Sequence, residues 1–183
     1  MNSAADDGGR LPGNPMMWVL IASEMAVFGA GLVGFAGARI LQPELFAQSQ
    51  ASLDRMVGAA NTAVLLTSGL FAALAVSARG RGDRRSARLH LGAAGLLGLV
   101  FLAVKIAEYA HKLEAGIGME TNTFFTLYYL LTGFHFLHVI FGLIVLAIVA
   151  VWDSMENLET GAAFWHMVDL VWVLIFPVIY LVR

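Results

Sequence analysis

Residues 164–176 read FWHMVDLVWVLIF, an apolar run that continues through FPVIYLV and is long enough with its flanks to cross a bilayer. It nevertheless keeps His166 and Asp169 three residues apart. Hydrocarbon penalises both groups, so such residues face a bundle interior or a cavity and take partners there. The segment is therefore expected to be one span of an all-α bundle, and the other spans have to supply what His166 and Asp169 need.

The composition fits that reading. Hydrophobic residues make up 59% of the 183, charged ones only 13%, and mean hydropathy is +0.77, well above the balance of a soluble domain. The polar stretch 1–15, MNSAADDGGRLPGNP, lacks the basic start of a cleavable signal, so the first span is expected to be retained. From residue 16 to 183 we read a single membrane domain of five apolar stretches, about 16–40, 56–78, 89–111, 123–151 and 162–182. With no cysteine there is no disulfide framework, thiolate metal site or thiol nucleophile, and a net charge of −2 argues against a nucleic-acid partner.

Orientation is set by ARGRGDRRSARLH between the second and third stretches, which carries Arg79, Arg81, Arg84, Arg85 and Arg88. Such clusters mark cytoplasmic loops. The N-terminus and the loop from Asp153 to Thr160 are then expected on the cytoplasmic side. The loops near Glu44 and Gly116 and the C-terminus fall on the periplasmic side.

The ionisable groups inside the spans are Glu24, Lys105, Glu108, His135, His138, His166 and Asp169. At about 1.5 Å of rise per residue, Glu24, His166 and Asp169 share a depth roughly 6 to 12 Å below the cytoplasmic side. His138 lies about 22 Å in from the other side, with His135 one turn nearer the centre. Residues three apart share a helix face, so His135 with His138 and His166 with Asp169 are expected to point together, and three helices can meet there. Lys105 and Glu108 are also three apart but fall in the outer half, where they can neutralise each other. Asn61 and Thr62 read as interhelical hydrogen bonders, and the small residues Ala30, Gly34 and Ala38 as a close-packing face of the first helix.

Metal or haem binding gains little from these positions. There is no HExxH, no repeated ExxH and no cysteine, whereas a hydrogen-bonded histidine needs only one acceptor. Two other classes stay open: a relay of carboxylates and histidines in an autonomous proton or ion transporter, and a structural or lipid-contacting role. No internal repeat of the kind many transporters carry is evident.

Several segments resemble, in order, the subunit III family of the haem-copper oxidases, of which cytochrome c oxidase subunit III is the type. WHMVDLVW, with Trp165, His166, Val168, Asp169 and Trp172, is similar to the family's last-helix signature. TGFHFLHVIFG resembles the preceding helix, through Thr132, Gly133, His135, His138, Val139 and Gly142. NTAVLLTSG carries the matching Asn61, Thr62, Leu65, Leu66, Ser68 and Gly69, and AEYAH the paired Glu108 and Tyr109. WVLIASEMAVFG is similar to the segment with an intramembrane carboxylate, here Glu24. The five spans correspond to the last five of the seven in long members, and Lys105 stands where oxidase members usually have glutamine. In this, and in LPGNPMMWV and TNTFFTLYYLLTG, the chain looks most like the short branch typified by NorE, encoded with bacterial nitric oxide reductase.

The resemblance implies a noncatalytic, multi-pass subunit of the bacterial inner membrane, with no cofactor of its own. Its partner would be the haem-bearing catalytic subunit I of a terminal oxidase or nitric oxide reductase, which holds the haem and its copper or non-haem iron. It implies phospholipid as a ligand and support of proton uptake as the role. Carried over by residue, Glu24 is the candidate carboxylate near the lipid cleft. His138, His166 and Asp169 are the candidates for the polar cluster joining the last helices. A transient assembly factor would share all of these features.

Overall fold

The computed structural model describes residues 15–152 and 154–182, so most of the polar stretch 1–15 lies outside the described residues. These residues form helices α1 (Pro15–Leu41), α2 (Pro43–Ala51), α3 (Arg55–Gly80), α4 (Arg84–Glu114), α5 (Thr123–Val151) and α6 (Met155–Phe176), followed by a π-helical turn, Pro177–Leu181. Five of the helices, all but α2, are long and apolar enough to cross a membrane. They match the five apolar stretches read from the sequence. α6 starts earlier than hydropathy suggests, because the Ser154 hydroxyl caps it by accepting from the Asn157 amide at 3.1 Å and draws the polar stretch MENLETG into the helix.

The other starts are equally local. Asp54 accepts from the Met56 and Val57 amides at 2.9 and 3.0 Å, Asp83 from Ser86 at 3.0 Å, and Asn122 from Phe125 at 3.0 Å. Each satisfies amides that the first helical turn leaves unpaired. Between α3 and α4 the chain turns at Gly82, whose φ of 81° only glycine adopts freely.

α6 is the centre of the bundle. In its most apolar window 61% of the residues are buried, against 11% for α1. It lies against α1, α3 and α5, while α3 and α4 form the most closely apposed pair. Trp165 and Trp172 of α6 pin it to α3: their indole N–H groups donate to Ser68 Oγ at 3.0 Å and Thr62 Oγ1 at 2.9 Å. Ser68 in turn donates to the Ala94 carbonyl of α4 at 2.7 Å, and Asn61 to the Phe101 carbonyl at 3.2 Å.

The short α2 occupies what the sequence reads as a loop. Pro43 at its first turn fits a helix start, and fully buried Phe46 packs edge-on to Phe35 of α1 and Phe124 of α5, with ring centroids 5.2 and 5.4 Å away. Gln50, also buried, takes a hydrogen bond from Arg39 at 3.0 Å and donates to the Ile179 and Val182 carbonyls at 2.9 and 3.0 Å. α2 thus closes the end of the last helix. Pro177 has no N–H to donate back into α6, and the chain passes there into the π-helical turn, with the Val182 amide on the Pro177 carbonyl at 2.8 Å.

Candidate functional site

The intramembrane ionisable residues fall into three groups. In the first, Glu24 of α1 meets His138 of α5, Oε2 to Nε2 at 3.0 Å, both side chains largely covered. His138 Nδ1 lies 2.9 Å from the Phe134 carbonyl, which can only accept, so the Nδ1 proton is directed there. The pair ties α1, the least buried span, to the bundle, and Phe28 packs edge-on to His138 at 5.2 Å.

His135 does not join that pair. One turn away, it is fully buried with its ring stacked on Trp172 at 5.0 Å and edge-on to Phe101 at 5.8 Å. Neither ring nitrogen has a hydrogen-bond partner among the described residues. It belongs to the aromatic core around α6.

The second group is His166 and Asp169, Nδ1 to Oδ2 at 3.8 Å, both on α6 as their spacing requires. Asp169 is buried and His166 nearly half exposed. The carboxylate fits because Gly69 of α3 lies beneath it: a Cβ on Gly69 would coincide with Asp169 Oδ2. On its open side His166 lines a groove of about 460 Å³ between α1, α3 and α6, whose walls include Trp18, Ile21, Val76, Met167 and Leu170. Glu24 is not among the groove residues. The structure therefore gives two separate pairs, Glu24 with His138 and His166 with Asp169.

Gly69→Ala tests the second pair. Its methyl group must displace the carboxylate, at an expected cost of about 1–3 kcal/mol in thermal unfolding of the purified protein. Gly34→Ala, where a Cβ meets nothing within 4 Å, is the matched control and should change little.

The third group is the most elaborate. Lys105 of α4 is 1% exposed, and its ammonium donates to Glu108 Oε2 at 3.0 Å, Tyr180 Oη at 3.1 Å and Tyr128 Oη at 3.2 Å. Both tyrosine hydroxyls donate to Glu108 Oε1 at 2.7 Å. The rings of Tyr109, Tyr128 and Trp172 stand 4.8 to 5.4 Å from the ammonium and add cation–π attraction. Beside this cage Tyr109 donates to Thr132 Oγ1 at 2.7 Å. The sequence reading has the pair but not Tyr128 and Tyr180. The available signal was depth: a buried ammonium has more donors than one carboxylate can satisfy, and tyrosines on other spans at its level are the natural acceptors.

Among the described residues no three histidine or carboxylate side chains approach closely enough to hold a metal ion. Glu24 with His138, and Lys105 with Glu108, Tyr128 and Tyr180, instead link two or three helices each, whereas His166 and Asp169 pair within α6.

Comparison with known proteins gives the following. A sequence model of the family Cytochrome c oxidase subunit III matches residues 50–182. A cytochrome c oxidase subunit 3 of Synechocystis is 29% identical over 173 residues, covering 89% of this chain and 72% of that protein. Its namesake from Thermostichus vulcanus is 30% identical over 173 residues, covering 89% and 84%. A heme-copper oxidase subunit I+III of Aeropyrum pernix is 33% identical over 185 residues, which is 91% of this chain and 22% of that longer protein.

Proposed function

Because the chain belongs to the cytochrome c oxidase subunit III family, we propose that it docks in the membrane on the catalytic, haem-bearing subunit I of a respiratory enzyme and sustains that subunit's turnover and proton uptake. Members of this family are noncatalytic membrane subunits of haem-copper oxidases, and this chain is a multi-pass member of it. The haem and its copper or non-haem iron reside in the partner, which reduces dioxygen or, in the short branch, nitric oxide. The relative whose name joins subunits I and III supports an intimate contact between the two.

The observation that carries this reading is that two groups of buried polar side chains close on partners from other helices. Glu24 with His138, and Lys105 with Glu108, Tyr128 and Tyr180, act as ties between helices, as a rigid accessory subunit requires. A transporter would have to break these ties to open a path. The arginine-rich connection between α3 and α4 supports a cytoplasmic placement of that end in a bacterial inner membrane. The groove between α1, α3 and α6 suits an acyl chain, with His166 at its wall for the polar part of a phospholipid.

The test is a mild-detergent purification of the tagged protein, with an optical spectrum and mass spectrometry of what accompanies it. Co-purified haem with a large catalytic subunit supports the reading, and the identity of that subunit distinguishes nitric oxide from dioxygen. A haem-free protein recovered alone, with ion flux in liposomes, would favour an autonomous transporter. Substoichiometric recovery confined to immature complexes would favour an assembly factor. Asp169→Leu, which leaves His166 without its carboxylate, is expected to lower retention in the complex or its sustained turnover; unchanged recovery and turnover would reduce the pair to packing.

A further inference from the structure

A pocket of about 660 Å³ opens where α3 begins and α4 ends, at the end of this helical hairpin opposite the Gly82 turn. Asp54, Arg55, Glu108, His111 and Lys112 line it. The carboxylates are already engaged: Glu108 holds Lys105, Tyr128 and Tyr180, and Asp54 Oδ1 caps α3. The cations keep donors to spare. Arg55 makes no hydrogen bond or ion pair among the described residues. Lys112 is 6% exposed, and its ammonium makes one hydrogen bond, 3.5 Å to the Ser52 carbonyl, while standing 5.9 and 6.0 Å from the Tyr128 and Phe125 rings.

A guanidinium fork and a buried ammonium with unused donors, beside an imidazole, outnumber the one free carboxylate oxygen of Asp54. Their complement is a compact anion that accepts several hydrogen bonds at once. The pocket lies at the ends of two membrane-spanning helices. Below His111, on the same face of α4, Ala107, Val104 and Val100 form an exposed to half-exposed apolar stripe. An anion with an apolar tail meets both features.

We propose that this pocket seats a phosphate group on Arg55 and Lys112, with the α4 stripe left for the acyl chain when that phosphate belongs to a phospholipid. The site is distinct from the groove between α1, α3 and α6 and is built from different helices.

The experiment takes the delipidated full-length protein in detergent and adds, separately, inorganic phosphate and dioleoyl phosphatidylglycerol in mixed micelles. Binding is read by native mass spectrometry and by the shift in thermal midpoint. One lipid per chain is expected, with Arg55→Glu weakening it by about tenfold or more. Lys112→Met should act in the same direction; being buried it can also unfold the protein, and then the half-exposed Arg55 decides. Lipid bound where inorganic phosphate is not identifies a phospholipid as the source, whereas inorganic phosphate bound and lost in Arg55→Glu identifies a soluble one. Binding of neither probe, or lipid adducts unchanged in Arg55→Glu, overturns the proposal.

Discussion

Lys105→Met is expected to destabilise the bundle by about 3–5 kcal/mol, because it strands Glu108, largely covered by its neighbours, as an unpaired charge. The lysine is 1% exposed, so water reaches the stranded carboxylate only from the pocket that Glu108 lines. Glu108→Leu should do comparable damage by leaving Lys105 with the two tyrosine hydroxyls alone. The double variant Lys105→Met/Glu108→Leu is expected to cost much less than the sum, since an apolar pair of similar volume removes both desolvation penalties. Thermal unfolding of the four proteins in one detergent measures the coupling. Additive losses would mean that the pair does not act as a unit and that the tyrosine cage, Tyr128 and Tyr180, satisfies each charge independently.

Trp165→Ala is the second large effect, also about 3–5 kcal/mol. The indole is clamped between two helices at glycines: a Cβ on Gly98 of α4 would stand 2.8 Å from its Cη2, and one on Gly142 of α5 2.7 Å from its Cε3. The two glycines bring no side chain of their own to collapse into the space, so much of the cavity persists and the packing loss is felt. Trp165→Phe retains part of the ring but loses the hydrogen bond to Ser68, and should cost about 1 kcal/mol for that bond plus the unfilled volume. Gly142→Ala fails from the opposite direction, by overpacking against the same ring. Chemical unfolding in mixed micelles should rank alanine at 165 as the most damaging of the three. Equal effects would mean that α4 and α5 can close on the vacated site.

The five long helices were legible because hydropathy integrates over a whole span, but hydropathy missed two of their starts, since Asp83 and Ser154 cap α4 and α6 ahead of the apolar stretches 89–111 and 162–182. α2 was not, since PELFAQSQA is too short and polar to register; its stability comes from Phe46 and Gln50 meeting residues far away in sequence. The site divides in the same way. Helical rise placed Glu24, His138, His166 and Asp169 in one layer, but depth along the axis does not fix rotation about it. That rotation sends His138 to Glu24, His135 to Trp172, and His166 to the groove beside Asp169. Tyr128 and Tyr180 escaped notice for a related reason: nothing local to Lys105 points across the bundle to them.

The π-helical turn after Pro177 also bears on the order in which the protein is made. Tyr180 reaches Lys105 across 75 residues of intervening chain, and Gln50 reaches the Val182 carbonyl across 132. A ribosome delivering α4 to the membrane therefore releases a lysine and a glutamate long before the last hydroxyl of their cage exists. During that interval the pair has only its own contact and, later, Tyr128. The π-helical turn works as a fastener, applied once the fifth span arrives, that joins the end of α6 to the connection between the first two spans.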